Sequence, residues 1–343
     1  MVKKRRKSKR PKRKTTKTNI KDVDSLNLIH WIGRFGNRMF QILYGKTYEK
    51  KFGIEFRQIS KWEGDFLFKN CKSNLIPHEE FRDELIRYGL ILNGHTVDGW
   101  KKIINNHNRR TGQKLNFIFP YDEPEWGKTN GCLDCACWDS PFLFKQYSKS
   151  FAKYLFEFSD EVKNSDIYKK AEDKQGAYDV AHLRRDDIMY SNTNHNWNYP
   201  VISEKSYYKA FDVFDSDPKK VEWVSDDFPS YPYQGWSYPE GQIAIDKEPF
   251  YDFVPDFLKI YFARKVYRAN SSFSWWSSFL NPTGKIFSPL LHKRVIYSET
   301  GEELNCEFIE GNSPHFMHIL GHGFGEEHNM KGYHNCPFIN IKD

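Results

Sequence analysis

Four short segments of this sequence carry the residue types that a phosphate-bearing ligand requires. They are Gly33-Arg34-Phe35-Gly36-Asn37, His182-Leu183-Arg184-Arg185-Asp186-Asp187, Ser225-Asp226-Asp227 and Asn270-Ser271-Ser272-Phe273-Ser274-Trp275-Trp276. Glycine lets backbone approach a ligand closely. Paired arginines present forked donors that match phosphate oxygens. A Ser-Ser turn ahead of a helix offers hydroxyls and free N–H groups, a second seat for an anion. The Asp pair at a strand end accepts hydrogen bonds from a base or a ribose. Together the four describe a pocket for a nucleotide-sugar diphosphate, held by arginine and backbone rather than by a metal.

Transfer of a sugar from such a ligand makes two demands. The leaving diphosphate gains negative charge and must be stabilised, and an acceptor hydroxyl must lose its proton. Arginine and helix N-termini meet the first demand without a divalent ion. Arg184 and Arg185 are placed for it. For the proton, Asp187 is one candidate base, and a Glu or Asp of the stretch 60–150 is another.

The elements that must position these segments alternate between strand and helix. Asn27 to Ile32 reads as a buried strand, Gly33 to Gly36 as the turn after it, and Arg38 to Lys51 as a helix with apolar Phe40, Leu43, Tyr44 and Tyr48 at helical spacing. Gly45 interrupts that helix pattern, Gly53 ends it, and Ile54-Glu55-Phe56 begins a second strand. Residues 146–170 read as helical. Tyr178 to His182 is a strand ending at the Arg pair, Ser206 to Phe214 a helix, and Val221 to Ser225 a strand ending at Asp226. Pro255 to Ala263 is a helix. Val266 to Ala269 is a strand ending at Asn270, before a helix that Pro282 closes. Each motif thus falls just past the carboxyl end of a strand, the edge where open parallel sheets bind ligands. The stretch 60–150 shows no such order.

The chain has 343 residues, 39% of them hydrophobic and 17% aromatic, enough for about two domains with aromatic-rich cores. Its formal net charge of +7 is uneven. Eleven Lys or Arg and no acid lie between Lys3 and Lys17, so the remainder carries −4. Residues 1–24 therefore read as a disordered basic arm, suited to an anionic membrane surface, nucleic acid or a nuclear importer. No apolar segment follows the arm as in a signal peptide, and no run of 18 apolar residues occurs, so a cytoplasmic location is expected, with nuclear targeting by the arm as a further option. Cys132, Cys135 and Cys137 cluster, as do His315, His318, His322, His328 and His334. A metal site at the cysteines would need further ligands at defined spacing, and glycines interrupt the histidine spacings, so reduced buried thiols and a Gly/His-rich covering segment are the default readings, with a metal as the alternative at each.

The four segments resemble the alpha-1,2-fucosyltransferase family and, more distantly, the protein O-fucosyltransferases. Gly33 to Gln41 is similar to the family's Gly-Arg-Leu-Gly-Asn-Gln-Met-Phe-Gln, and His182 to Asp187 to its His-x-Arg-Arg-Gly-Asp. Ser225-Asp226-Asp227 matches a Ser-Asp-Asp segment, and Asn270 to Leu280 resembles Asn-Ser-Ser-Phe-Ser-Trp-Trp-x-x-x-Leu. The resemblance implies an α/β fold of two facing Rossmann-like domains, GT-B-like. The domains would be 25–175 on the acceptor side and 176–299 for the nucleotide sugar, followed by the segment 300–343. It implies an inverting, metal-independent transferase, galactoside 2-alpha-L-fucosyltransferase-like, that takes GDP-fucose and a glycan acceptor. Arg184 would stabilise the leaving GDP with Arg185 in support, and His182 would shape their loop. Ser271, Ser272 and Phe273 would surround the β-phosphate, and Ser225, Asp226 and Asp227 would lie near the guanosine. Gly33, Arg34, Gly36 and Asn37 would face the sugar from the other domain. Two positions depart from the pattern: Asp186 stands where the family has Gly, and Arg38 where it has Gln, an added cation near the cleft. A related transferase for another nucleotide sugar, and a non-catalytic glycan- or nucleic-acid-binding protein, are the competing expectations.

Overall fold

The computed structural model describes residues 24–91, 97–118, 130–134, 137, 143, 146, 148–185, 201–225, 253–290 and 303–312. Residues 1–23 of the basic arm, Asp186 and Asp187, Asp226 and Asp227, Cys135 and the C-terminal histidines lie outside them.

Two five-stranded sheets organise these residues. The first takes β1 (Ser25–Leu28), β2 (Glu55–Gln58), β3 (Asn74–Leu75), β4 (Asn116–Ile118) and β5 (Gly131–Leu133) in the order β3-β2-β1-β5-β4, with every pair parallel. The second takes β6 (Asp179–Leu183), β8 (Val221–Ser225), β9 (Lys265–Tyr267), β10 (Lys285–Leu290) and β12 (Glu307–Glu310) in the order β12-β10-β9-β6-β8. Only its β10–β12 pair is antiparallel. β7 (Val201–Ile202) and β11 (Glu303–Leu304) form a separate two-stranded ribbon. The expected α/β architecture of two open parallel sheets is therefore present. The expected boundary at 299/300 is displaced, because β12 pairs with β10 and extends the second sheet to residue 310.

In each sheet the chain steps outward from a central strand on one side and then returns to pair on its other side. That reversal falls between β1 and β5 in the first sheet, and between β6 and β9 in the second. Ligand crevices of open parallel sheets form at the carboxyl ends of such strand pairs.

Helix α1 (Phe35–Phe52) follows β1 and begins three residues earlier than the sequence pattern indicates. The Arg34 carbonyl accepts from the N–H groups of both Asn37 and Arg38, at 2.9 and 3.2 Å, so Gly36 and Asn37 lie in the first helical turn. Gly45 is required by contact, since a Cβ there would collide with the Phe56 ring of β2. Gly53, left-handed at φ 64°, closes the helix.

The stretch without sequence order holds a short turn of helix, α2 (Gly64–Leu67), and two longer helices, α3 (Glu79–Ile91) and α4 (Val97–Thr111). Trp100, Ile103, Ile104 and His107 of α4 are buried at i, i+3, i+4 and i+7 spacing. Residues 146–170 are not one helix. They contain α5 (Lys149–Leu155), α6 (Asp160–Lys163) and α7 (Asp166–Glu172), opened by the hydroxyls of Ser148, Ser159 and Ser165, which accept from Phe151, Val162 and Tyr168 N–H. Serine at each N-cap restarts the backbone at a new angle. α8 (Glu204–Val213) and α9 (Val254–Phe262) lie where expected. α10 (Ser272–Leu280) follows β9.

The two halves share one apolar core. Phe40 of α1 lies 5.1 and 4.8 Å from the rings of Trp275 and Trp276 of α10, and Phe35 lies 5.6 Å from Phe257 of α9. All five side chains are buried. Aromatic pairs of this kind contribute about 0.5–1.5 kcal/mol each beyond the area they bury.

Candidate functional site

On the first sheet, the loop from β1 to α1 is held by side chains of the helix it leads into. Gln41 is fully buried. Its Nε2 donates to the His30 carbonyl at 3.0 Å, and its Oε1 accepts from Ile32 N–H at 3.2 Å. Gly33 has φ +66°, a conformation that side-chain-bearing residues rarely adopt, and a Cβ there would strike the Asn37 amide. Arg38 does not serve as an added cleft cation. Its Nη1 pairs with Glu63 Oε1 at 2.7 Å, its Nε donates to the Gly33 carbonyl at 3.3 Å, and both members of the ion pair are buried. The charge expected near the cleft is cancelled on the spot. Arg34 stands at the N-cap of α1 in extended conformation.

On the second sheet, β6 carries Val180 and His182 on one face, and Val266 of β9 and Arg268 just past its end fall on the same face, by the two-residue period of a strand and the pairing of Val180 with Val266. Val180 and Val266 share a cluster with Ile260 of α9, against which Phe273 of α10 packs. The His182 ring lies 5.8 Å from Phe273 and is buried, with its Nδ1 unpartnered. Its backbone carbonyl accepts from the Tyr207 hydroxyl at 2.7 Å, which fixes the strand end. Burial first, and then the charges of Arg184 and Arg268, push the imidazole pKa down to about 3, so the ring is neutral at physiological pH. Arg185 is buried, and its Nη1 donates to the Arg184 carbonyl at 3.1 Å, bracing the loop that carries Arg184. Ser225 ends β8 opposite Leu183 of β6.

Arg268 escapes sequence reasoning. It is fully buried; Nε donates to Ser288 Oγ at 2.8 Å and Nη1 to the Ala269 carbonyl at 3.3 Å. Nη2 has no partner, and among the described residues no carboxylate pairs with the guanidinium. Burial pushes its pKa down to about 9. The signal was present in Val266-Tyr267-Arg268-Ala269, where an arginine falls at the inward phase of a strand. Asn270, two residues on, is also buried, and both its amide atoms lack partners.

The halves meet at the first turns of α1 and α10. A Cβ on Gly36 would come within 2.6 Å of the Ser272 carbonyl carbon and 2.7 Å of Phe273 N, so only glycine allows the two backbones this close. Ser272 Oγ donates to Asn37 Oδ1 at 2.5 Å. Ser271 Oγ accepts from Phe273 N–H at 3.3 Å and caps α10. Both hydroxyls expected to seat a phosphate are thus engaged within the protein, one across the halves and one along its own helix. The structure brings Gly33, Arg34, Gly36 and Asn37 to the same junction as Ser271, Ser272 and Phe273, with His182 beside Phe273. Asp187, Asp226 and Asp227 lie outside the described residues. Cys132 and Cys137 are buried in separate apolar clusters, with the Cys132 thiol pushed up by burial. Among the described residues no group of three metal-ligating side chains occurs, and no helix is long and apolar enough to cross a membrane.

No protein-family model matches the chain, and no curated protein matches it. Among solved structures it is similar to NodZ alpha-1,6-fucosyltransferase soaked with GDP-fucose, at 12% identity over 84% of this chain and 99% of that one, with a TM-score of 0.40. It is similar to the fucosyltransferase NodZ from Bradyrhizobium at 13% identity, over 78% and 95% of the two chains, with a TM-score of 0.42. It is also similar to a mutant of Arabidopsis thaliana FUT1 in complex with GDP, at 13% identity over 85% and 75%, with a TM-score of 0.43. Overlaps this loose define neither activity nor substrate for the chain.

Proposed function

We propose that the protein is an inverting glycosyltransferase that moves fucose from GDP-fucose to a hydroxyl of a glycan acceptor. The observation that supports this reading is the convergence of segments. The His182-to-Arg185 and Asn270-to-Phe273 segments flank one strand-order reversal at the carboxyl edge of the second sheet, and the Gly33-to-Asn37 segment abuts them from the first.

In this reading Arg184 binds the donor diphosphate and stabilises the charge that grows on it as the bond from sugar C1 to phosphate oxygen breaks. The acceptor oxygen forms its bond to C1 from the opposite face, GDP departs with the electron pair, and the acceptor proton passes to a carboxylate, for which Asp187 is the candidate. Arg185 holds the Arg184 loop through the Arg184 carbonyl. The neutral His182 ring adds no charge of its own beside the arginines. The alpha-1,2 linkage belongs to the same proposal, as does independence from metal, since arginine and a helix N-terminus supply the positive charge. The domain division into an acceptor half and a nucleotide half is part of it too.

The test is a donor screen with a soluble galactoside acceptor in excess chelator, read by mass and linkage of the product. GDP-fucose consumption with an inverted product supports the reading. Turnover of another nucleotide sugar only would replace the donor. Activity lost in chelator and restored by manganese or magnesium would overturn the leaving-group chemistry.

A further inference from the structure

We infer that Arg268 is an anion-binding residue of the crevice between β6 and β9, left without a counter-charge in the free protein so that a bound diphosphate supplies it. The inference deepens the nucleotide-sugar reading and rests on it.

A buried charge is ordinarily paired, because removal from water is costly and only a partner recovers the loss. Arg38 obeys that rule through Glu63. Arg268 does not: two neutral oxygens accept from it, and Nη2 donates to nothing. Its neighbours are in the same condition. The Asn270 amide has neither donor nor acceptor satisfied, and the Nδ1 of His182, on the adjacent strand and the same face, is likewise unpartnered. Three buried side chains at one strand-order reversal therefore hold free hydrogen-bonding capacity, and they sit beside the first turn of α10, whose dipole favours negative charge. A cationic ligand is excluded, since Arg184 and Arg268 both act on the crevice. A single carboxylate would match one guanidinium. A diphosphate, with oxygens on two phosphorus atoms, can engage Arg184 at the mouth and Arg268 within.

The arrangement makes opposite demands on the free and bound protein, and that difference is measurable. Arg268→Met removes the buried charge and keeps most of the volume. We expect the ligand-free variant to melt about 2–4 °C higher than wild type. GDP and inorganic pyrophosphate should each stabilise wild type, and Arg268→Met should bind both at least about tenfold more weakly, the loss typical of a hydrogen bond to a charged group. Guanosine, which has no phosphate, should bind both proteins alike. Asn270→Asp provides an independent variant. A carboxylate beside Arg268 should raise the melting temperature without ligand and suppress the response to pyrophosphate. If Arg268→Met melts lower than wild type and keeps the full GDP response, Arg268 is a packing residue and the inference fails while the nucleotide reading stands. If wild type responds to neither GDP nor pyrophosphate, the nucleotide reading fails first and takes the inference with it.

Discussion

The two sheets present the same topological feature, a strand-order reversal at the carboxyl edge, and treat buried charge there in opposite ways. Beside β1 and β5, Arg38 is neutralised by Glu63 and Gln41 clasps the loop backbone at two points. Beside β6 and β9, Arg268 has no acid among the described residues, and Asn270 and His182 hold unpartnered atoms. At the first edge the buried guanidinium has an acid of its own, although Glu63 Oε2 and Trp62 Nε1 lack partners there. The other leaves those atoms open, and is the seat proposed above for an anion. Shape alone would rank the two edges equally; the pairing of the buried guanidinium separates them.

The sharpest way to break the comparison is to remove Glu63. Glu63→Ala strands a buried guanidinium on Arg38, and stability should fall by about 3–5 kcal/mol in denaturant unfolding. That is the opposite sign to the effect expected for removing the charge of Arg268. Equal signs would erase the distinction between the edges.

Arg184→Ala tests the second edge directly. Turnover should fall by two to three orders of magnitude, or about 3–4 kcal/mol of transition-state stabilisation, with the fold intact by circular dichroism. Arg184→Lys should not restore it, because a point charge does not reproduce the guanidinium fork. Activity within tenfold of wild type in either variant removes Arg184 from the leaving-group role.

The junction between the edges can be loosened. Gly36→Ala places a methyl group against the Ser272 and Phe273 backbone, and the overpacking should cost about 1–3 kcal/mol. Turnover should fall with the melting temperature, since the same contact sets the spacing of the two halves. A stable but inactive variant would show that spacing matters more than packing.

Acid provides a fourth test. The folded pKa of His182 is about 3, against an ordinary value of 6.5. Below pH 6.5 the unfolded chain takes up a proton that the folded one refuses. The stability from burying the neutral ring is therefore complete above pH 6.5 and declines from there towards pH 3. His182→Phe keeps the ring and removes the titration. The stability of wild type relative to this variant should drop by about 1 kcal/mol between pH 6.5 and 5.5. A constant difference would mean that the ring titrates in the fold as it does in the unfolded chain.

The smallest effect belongs to Ser272→Ala. It removes one hydrogen bond between the halves, and a loss of about 0.5–1.5 kcal/mol is expected in thermal unfolding.

The parts of this architecture legible in sequence were those with long or strongly apolar runs. The strands leading to Arg184, Ser225 and Asn270, and the helices around them, were readable because periodicity and terminal residues agreed. The first sheet's β3, β4 and β5 were not, because strands of two or three residues carry no period. Helix α4 was legible in principle, from Trp100, Ile103, Ile104 and His107. Of the site, the motifs marked where chemistry concentrates but not how its atoms are engaged. That Ser271 caps its own helix, that Ser272 reaches across to Asn37, and that Arg38 meets Glu63 all depend on long-range packing. Arg268 is not legible in sequence, because a lone arginine next to an apolar strand reads as exposed until its face is known.

The bond from Asn37 to Ser272 joins residues 235 positions apart. During synthesis the first sheet can therefore be complete long before its counterpart exists. Until α10 leaves the ribosome, α1 displays Phe40 without the Trp275 and Trp276 rings that later pack on it. The nascent chain thus carries an apolar face through most of its translation, a natural hold for chaperones and a hazard for self-association. The proposed anion seat, by contrast, is assembled only when Arg268 and Asn270 join His182 and Arg184. A chain cut short anywhere before residue 268 holds His182 and Arg184 but lacks Arg268, Asn270 and the first turn of α10, so the proposed seat is incomplete in it.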